Sequence, residues 1–304
     1  MAPEGCLAVL GLAAVNELMT ADDGQRLDPI RLIAIDLDGT LLNSRSEVSH
    51  ANRQTMVRAV ERGVQLLIVT GRRFHSAMRF VEHIPCPVTL ISSNGARITD
   101  SSGEVQYRNF LPRQIARQTL EIAQEYRPFA VAMFDMPGRG QVTMQDNALV
   151  DGPLAWYLRN SPDALAQVPD LVAAITANPI QVMFGGPPGR IESIETLLRS
   201  SSVAGSVHPI WTKYLDRDVS ILDVMNHGCS KGAALSLWAT RCRVSPSEVM
   251  AIGDNYNDLE MLRFAGRPVV MGNCAAGLDG NGWPVTLPND EDGVAAAIRR
   301  YVLG

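Results

Sequence analysis

The chain has no apolar run approaching the roughly 18 residues that a membrane helix needs, and it has no excess of basic charge. Lys and Arg number 27 against 32 Asp and Glu, a formal net charge of −5. A nucleic-acid binder carries a basic footprint, so nucleic acid is not an expected partner, and neither is a membrane. Net charge also gives an anionic small molecule no steering. Such a ligand must be met by local positive charge, from a metal ion, a lysine or backbone N–H groups. Paired cysteines are missing too. Cys6, Cys86, Cys229, Cys242 and Cys274 are odd in number and show no C-x-x-C spacing. That argues against a disulfide framework or a zinc site and fits a reducing, cytoplasmic setting. Residues 6–15 have the length of a short signal core, yet no Lys or Arg precedes them and Glu4 does. A secretory signal needs a positive n-region, so residues 1–29 read as an N-terminal tail, with Met19 as a second candidate start. There is no internal repeat and no low-complexity segment.

What is present is an ordinary globular composition, 46% apolar and 19% charged over 304 residues. That length is large for one core and predicts two domains. The organising stretch is residues 31–43, RLIAIDLDGTLLN. Its apolar run delivers Asp36 and Asp38, then Gly39 and Thr40, the pattern of a buried strand emptying into a turn. Solvated acids in an Asp-Gly turn are the plain reading of these residues alone. The carboxyl end of such a strand is also where open α/β sheets place their ligand crevice.

The chain around it repeats that rhythm. A helix is expected over 49–62, with Ser49 as cap and Gly63 as stop. Strands follow at 64–69, ending in Thr70-Gly71-Arg72, and at 88–92, ending in Ser93-Asn94-Gly95, with a helix over 73–83 between them. Strand and helix in alternation predict a doubly wound parallel sheet. Between 97 and 226 the rhythm changes. A hairpin over 97–107, an amphipathic helix over 111–126 and strands at 131–134, 141–145, 180–184, 207–213 and 219–224 are expected there. A helix-and-loop stretch runs to 175, a GGPPG break lies at 185–189 and a helix at 191–199. The α/β rhythm returns with a helix over 230–243, a strand over 249–252 ending at Gly253-Asp254, and elements at 257–264, 268–271 and 293–301. The expectation is an α/β core of 30–96 and 227–304, with an inserted α+β cap of 97–226.

Asp36 and Asp38, Thr70 and Asp254 all stand at strand ends, which parallel strands gather on one edge. Asp36 and Asp254 are hard oxygen ligands without clustered His or Cys, which favours Mg²⁺ over zinc or copper. Lys231, at the start of a helix, is poorly suited to that end of the macrodipole. It is better explained as an ammonium beside a phosphate. Turn N–H groups at Gly39 and Gly71 add anion contacts. Metal, lysine and oriented donors are what phosphoryl transfer uses.

DLDGTLL (36–42), VTGR (69–72), Ser230-Lys231-Gly232 and GDNYND (253–258) resemble, in order and spacing, the four motifs of the haloacid dehalogenase superfamily. Asn94-Gly95-Ala96, Met261-Leu262, MGN (271–273) and EDGV (291–294) extend the likeness to its Cof-like type IIB phosphatases. Asn273-Cys274 stands where those proteins usually carry Asn-Ala. The resemblance implies a HAD-like Rossmannoid core and a small-molecule phosphate ester as substrate. It implies Asp36 as nucleophile and Asp38 as acid and base. Mg²⁺ is then held by Asp36, the Asp38 backbone carbonyl and Asp254, with Asp258 orienting water on the metal. Thr70, Gly71, Lys231 and Asn257 then hold the phosphate. A phosphomutase or a catalytically silent binding protein are the alternatives; a P-type pump is disfavoured by Asp38, where those proteins carry Thr.

Some signals have plainer readings. Asn257 could be a helix N-cap, since Asn-Asp-Leu-Glu looks like a capping box. Arg72 could touch substrate or bridge to the cap. Trp156, Met183 and Trp211 fit core positions better than a specificity pocket, and His75, His83 and His208 show no ligand spacing.

Overall fold

The computed structural model of the protein describes residues 28–147, 162–214 and 218–304. Cys6, Met19 and Trp156 lie outside the described residues, as does the tail up to residue 27.

Strand β1 (Leu32–Ile35) lies inside a seven-stranded sheet, with a strand on either side, and none of its side chains reaches solvent. Leu32 and Ala34 point into one hydrophobic cluster, Ile33 and Ile35 into the other. Both faces of the strand are therefore covered, which explains an unbroken apolar run rather than alternation. Each large aliphatic side chain buried here contributes roughly 1.5–3 kcal/mol. Parallel ladders join β1 to β2 (Gln65–Val69) on one side and to β12 (Val249–Gly253) on the other. β3 (Thr89–Ser92) continues beyond β2, and β13 (Arg267–Val270) beyond β12, also in parallel. Helices α1 (His50–Glu61), α2 (Phe74–Val81) and α8 (Gly293–Ile298) cover one face. α6 (Lys231–Arg241) and α7 (Leu259–Phe264) cover the other. The doubly wound parallel sheet expected from the strand–helix alternation is thus present. Ser49 caps α1 by accepting the N–H of Asn52 at 3.1 Å, and Gly63 follows the helix at φ +84°.

The hairpin over 97–107 was expected to open the insert. Instead β4 (Arg97–Thr99) pairs with β3 and β5 (Val105–Arg108) with β4, both antiparallel, extending the first sheet. The turn at 93–95 reverses the chain directly after β3, so the following strand satisfies its backbone groups on the nearest free edge.

A second sheet has the order β10-β11-β9-β6-β7-β8. It is formed by β6 (Ala130–Met133), β7 (Val142–Gln145), β8 (Leu165–Val168), β9 (Gln181–Gly186), β10 (Val207–Tyr214) and β11 (Val219–Asn226). All its pairs are antiparallel except β7 with β8. β8 was not expected; four residues of mixed polarity carry no strand period of their own. The GGPPG stretch is less of a break than its composition suggests. Gly185 and Gly186 finish β9, and Pro188 opens α5 (Pro188–Arg199), a position where its missing N–H is not needed. α5 packs on one face of this sheet with α3 (Arg113–Ile122) and α4 (Leu171–Ala174). On the other face Met133, Met144, Met183 and Met225 pack with Ile210 and Ile221 against Ala96 and Phe110. That second face therefore lies against the first sheet's hairpin region. Among the described residues no helix is long and apolar enough to cross a membrane.

Candidate active site

The order β13-β12-β1-β2-β3 means that the chain leaves β1 in one direction for β2 and returns on its other side at β12. The topological switch point is the edge between β1 and β12, where a ligand crevice is expected. Asp36 sits there, directly after β1, its N–H given to the Ile252 carbonyl at 3.0 Å. Asp254 sits there too, directly after β12. Both are buried, at 4% and 8% exposure.

Lys231 is the first residue of α6, whose cap Ser230 accepts the N–H of Ala233 at 3.1 Å. Its ammonium is buried and donates to Asp36 Oδ1 at 2.5 Å and to Asp258 Oδ1 at 2.7 Å. Asp258 Oδ2 accepts the N–H groups of Asp254 and Asn255, each at 3.0 Å. Asp258 thus ties the lysine to the turn that carries Asp254. Burial works against the Lys231 ammonium, but Asp258 and Asp36 outweigh it and its pKa is raised. Burial pushes the Asp36 carboxyl well above the usual range, with Asp258 and Asp254 adding and Lys231 opposing. Burial, then Asp258, raises Asp254 to about 7, against a hydrogen bond from Thr40 Oγ1 at 2.9 Å and the charge of Lys231.

Asp36, Asp254 and Asp258 offer oxygens within 4.8 Å of one another, and Lys231 bridges two of them. Three buried carboxylates share one ammonium, an excess of acidic groups that raises Asp36 and Asp254 and that a cation would offset, and an oxygen-only set suits a hard divalent cation. Gly39 keeps this space open. It lies at φ +78°, and a Cβ there would stand 2.4 Å from an Asp254 carboxylate oxygen. Asn273 holds the Gly39 turn from outside, donating to its carbonyl at 2.8 Å.

The other expected residues gather through Asn94. Thr70, buried after β2, accepts the N–H of Arg72 on its Oγ1 at 3.1 Å. Asn94 Oδ1 accepts from Asn257 Nδ2 at 3.3 Å, and a Cβ at Gly71 would meet the same Oδ1 at 3.1 Å. Asp38 stands apart. Its carboxylate is half exposed and chelated by Arg72, at 2.7 Å from Nε and 2.6 Å from a terminal nitrogen. Arg72 also lies over the Phe80 ring, 4.6 Å from its centroid. Neither expected role of Arg72 included this pairing. The capping box begins two residues earlier than expected, with Asn255 as cap and Asp258 as its partner, because Asn255 Oδ1 accepts the N–H of Tyr256. Asn257 is thereby released to reach Asn94. Met183 is core as expected, and Trp211 is half-buried with its indole N–H on Glu195 at 2.8 Å.

A family model described as haloacid dehalogenase-like hydrolase matches residues 33–298. The chain is 28% identical to "Endoribonuclease YBEY, chloroplastic" of Arabidopsis thaliana over 92% of its own length, and it spans 49% of that protein. It is 26% identical to "5-amino-6-(5-phospho-D-ribitylamino)uracil phosphatase YitU" of Bacillus subtilis, over 89% of this chain and 97% of that one. Other bacterial relatives also bear the name phosphatase. A solved haloacid dehalogenase-like hydrolase from Bacteroides thetaiotaomicron superposes with a TM-score of 0.72 at 29% identity, covering 89% of this chain and 99% of that one. Four motifs in order, the sheet they terminate and a match over most of the chain agree: it belongs to the haloacid dehalogenase-like hydrolase family, in its Cof-like branch.

Proposed function

We propose that this protein is a Mg²⁺-dependent phosphatase of a small phosphorylated metabolite, a sugar phosphate or a phosphorylated cofactor, working through an aspartyl-phosphate on Asp36. The observation that carries the reading is Asp36 itself. It is a buried carboxylate at the switch point, with one oxygen engaged by Lys231 and the acid cluster beside it. In this reading the other Asp36 oxygen attacks phosphorus and the bond from phosphorus to the leaving alcohol breaks, Asp38 giving that oxygen its proton. Water then attacks the phosphoryl group, the bond to Asp36 breaks, and Asp38 takes the proton back. Asp38 must turn from Arg72 toward the leaving group to do this.

Mg²⁺ would be held by Asp36, the Asp38 backbone carbonyl and Asp254, and when bound supplies positive charge to the transferring phosphoryl group. Lys231 cancels charge on Asp36 and the phosphate; Thr70, Gly71 and Asn257 orient the phosphate oxygens. Asp258 steadies Lys231 and the Asp254 turn. The catalytic unit is the first sheet with its helices, and the second sheet with α3, α4 and α5 serves as the cap that excludes water. The names of bacterial relatives support a phosphorylated small molecule as substrate.

The test is phosphate release from a panel of phosphorylated metabolites, with and without Mg²⁺. Mg²⁺-dependent release is expected, and Asp36→Asn should leave less than a few per cent of it. Isomerised sugar phosphate without free phosphate would replace hydrolysis by a mutase reaction. No release from any ester would point to a binding protein.

A further inference from the structure

Residues 93–95 contain a feature that the catalytic reading does not use. Ser93 and Asn94 both have positive φ, +52° and +51°, and Gly95 follows at +101°. Two successive non-glycine residues in that region cost about 1–3 kcal/mol each, so their surroundings must hold them there. The surroundings do. The Ser93 N–H donates to the Arg72 carbonyl at 2.8 Å and the Asn94 N–H to the Thr70 carbonyl at 3.0 Å. A Cβ at Gly95 would lie 2.2 Å from the Ser230 carbonyl, so the start of α6 packs directly on this turn.

The result is an Asn94 side chain with no solvent exposure. Its Nδ2 donates to Asp223 Oδ2 at 2.8 Å, and its Oδ1 faces Gly71 and accepts from Asn257. Asp223 comes from β11 in the second sheet. It is buried, and its other oxygen accepts from Gln181 Nε2 on β9 at 2.5 Å.

We infer that Asp223 is a positioning residue which, through Asn94, fixes the orientation of Asn257 and so couples the second sheet to the phosphate site. The reason is hydrogen-bond polarity. An ionised carboxylate only accepts, whereas an amide both donates and accepts. Asp223 therefore compels Asn94 to present its NH₂ group to the second sheet and its oxygen to the first. Asn257 must in turn present NH₂ to Asn94, which leaves it a second N–H. The polarity set by one carboxylate passes along two amides. Burial raises the Asp223 carboxyl to about 7, with the Asn94 hydrogen bond and Lys231 opposing, so the relay is complete above that pH.

This inference rests on the phosphatase reading, and the experiment separates the two. At pH 8, kcat and KM are measured with p-nitrophenyl phosphate and Mg²⁺, and inorganic phosphate binding is measured by calorimetry. Asn94→Asp sets two carboxylates face to face, and kcat/KM and phosphate affinity should each fall at least about tenfold, as for loss of a hydrogen bond to a charged group. The reciprocal double variant, Asn94→Asp with Asp223→Asn, meets every hydrogen bond again with the acceptor still turned to Asn257. It should recover most of both losses. Failure of the double variant to recover either quantity would overturn the relay, because Asn94 or Asp223 would then be needed for its own group. An unchanged Asn94→Asp enzyme would overturn it too. Should Asn94→Asp not fold, Asp223→Ala is the second probe. Phosphate affinity should drop about tenfold, and a folded Asp223→Ala protein that binds phosphate like wild type would refute the proposal. A wild-type protein inert toward every phosphate ester fails the phosphatase reading, whatever the phosphate-binding data show.

Discussion

At the scale of single residues, the two acids of the opening motif have different surroundings, although they are one residue apart. Asp36 is buried against Lys231, while Asp38 is half exposed on Arg72. If Asp38 passes the proton, Asp38→Asn should cost most where the leaving group is poor. The loss should be far greater on alkyl phosphates than on p-nitrophenyl phosphate, as steady-state kinetics would show; equal losses would remove its acid role. Asp254 gives a pH prediction. Its carboxyl titrates at about 7 in the folded protein and ordinarily at 3.8. Between those values the folded state keeps a proton that the unfolded chain has lost, so this group's contribution to stability falls as pH rises through that window. Metal-free protein should melt at a lower temperature at pH 7.5 than at pH 5, and Asp254→Asn should flatten part of that slope. Mg²⁺ should bind more weakly as pH falls below 7, which calorimetry can follow. These residue types were legible in the sequence because each ends an apolar strand. Arg72 on Asp38 and Asp223 on Asn94 were not, since neither partner is near the other in the chain.

At the scale of elements, caps and tight turns place the residues of the candidate site. Ser49 and Ser230 both cap helices, and removing either should cost about 1 kcal/mol of stability in urea unfolding. Ser230→Ala should also lower kcat/KM, because α6 carries Lys231 at its first position, whereas Ser49→Ala should leave it unchanged. Gly63 and Gly95 make a similar contrast. Both have positive φ, but nothing lies within 4 Å of a Cβ at Gly63. Gly63→Ala should cost about 1–2 kcal/mol, from backbone strain alone. Gly95→Ala must also push back the Ser230 carbonyl and should cost about 3 kcal/mol or more. The strands of the first sheet could be read because they are continuous apolar runs. β8 could not, and the 97–107 hairpin joins the first sheet although its local pattern suits the insert, because a strand's local pattern does not name its neighbour.

At the scale of the molecule, the two sheets meet through polar contacts as well as through methionines. Arg97 donates to Asp135 at 2.6 Å, with both side chains largely buried, and Asn226 Nδ2 donates to Asn109 at 2.6 Å. The Asn255 side chain and the Lys213 backbone exchange hydrogen bonds, and His208 pairs with Glu260 at 3.0 Å. Asp135→Ala should therefore destabilise by about 1–3 kcal/mol, measured as a lower urea midpoint, by leaving a buried guanidinium short of a partner. By itself the sequence determined the parallel core, the edge where its strands end and the acids and lysine of the candidate site. Strand periodicity and strand ends are local properties, and parallel strands have only one edge for their carboxyl ends. The tertiary structure alone decided how those residues are charged and oriented. It buried Asp36, Asp254 and Asp258 around one ammonium, turned Asp38 to Arg72, and brought Asp223 from a second sheet onto Asn94. Burial and contact between segments far apart in sequence exist only once the sheets have packed. What the first motif offered was two carboxylates at a strand end; their different surroundings come from what the fold sets beside each.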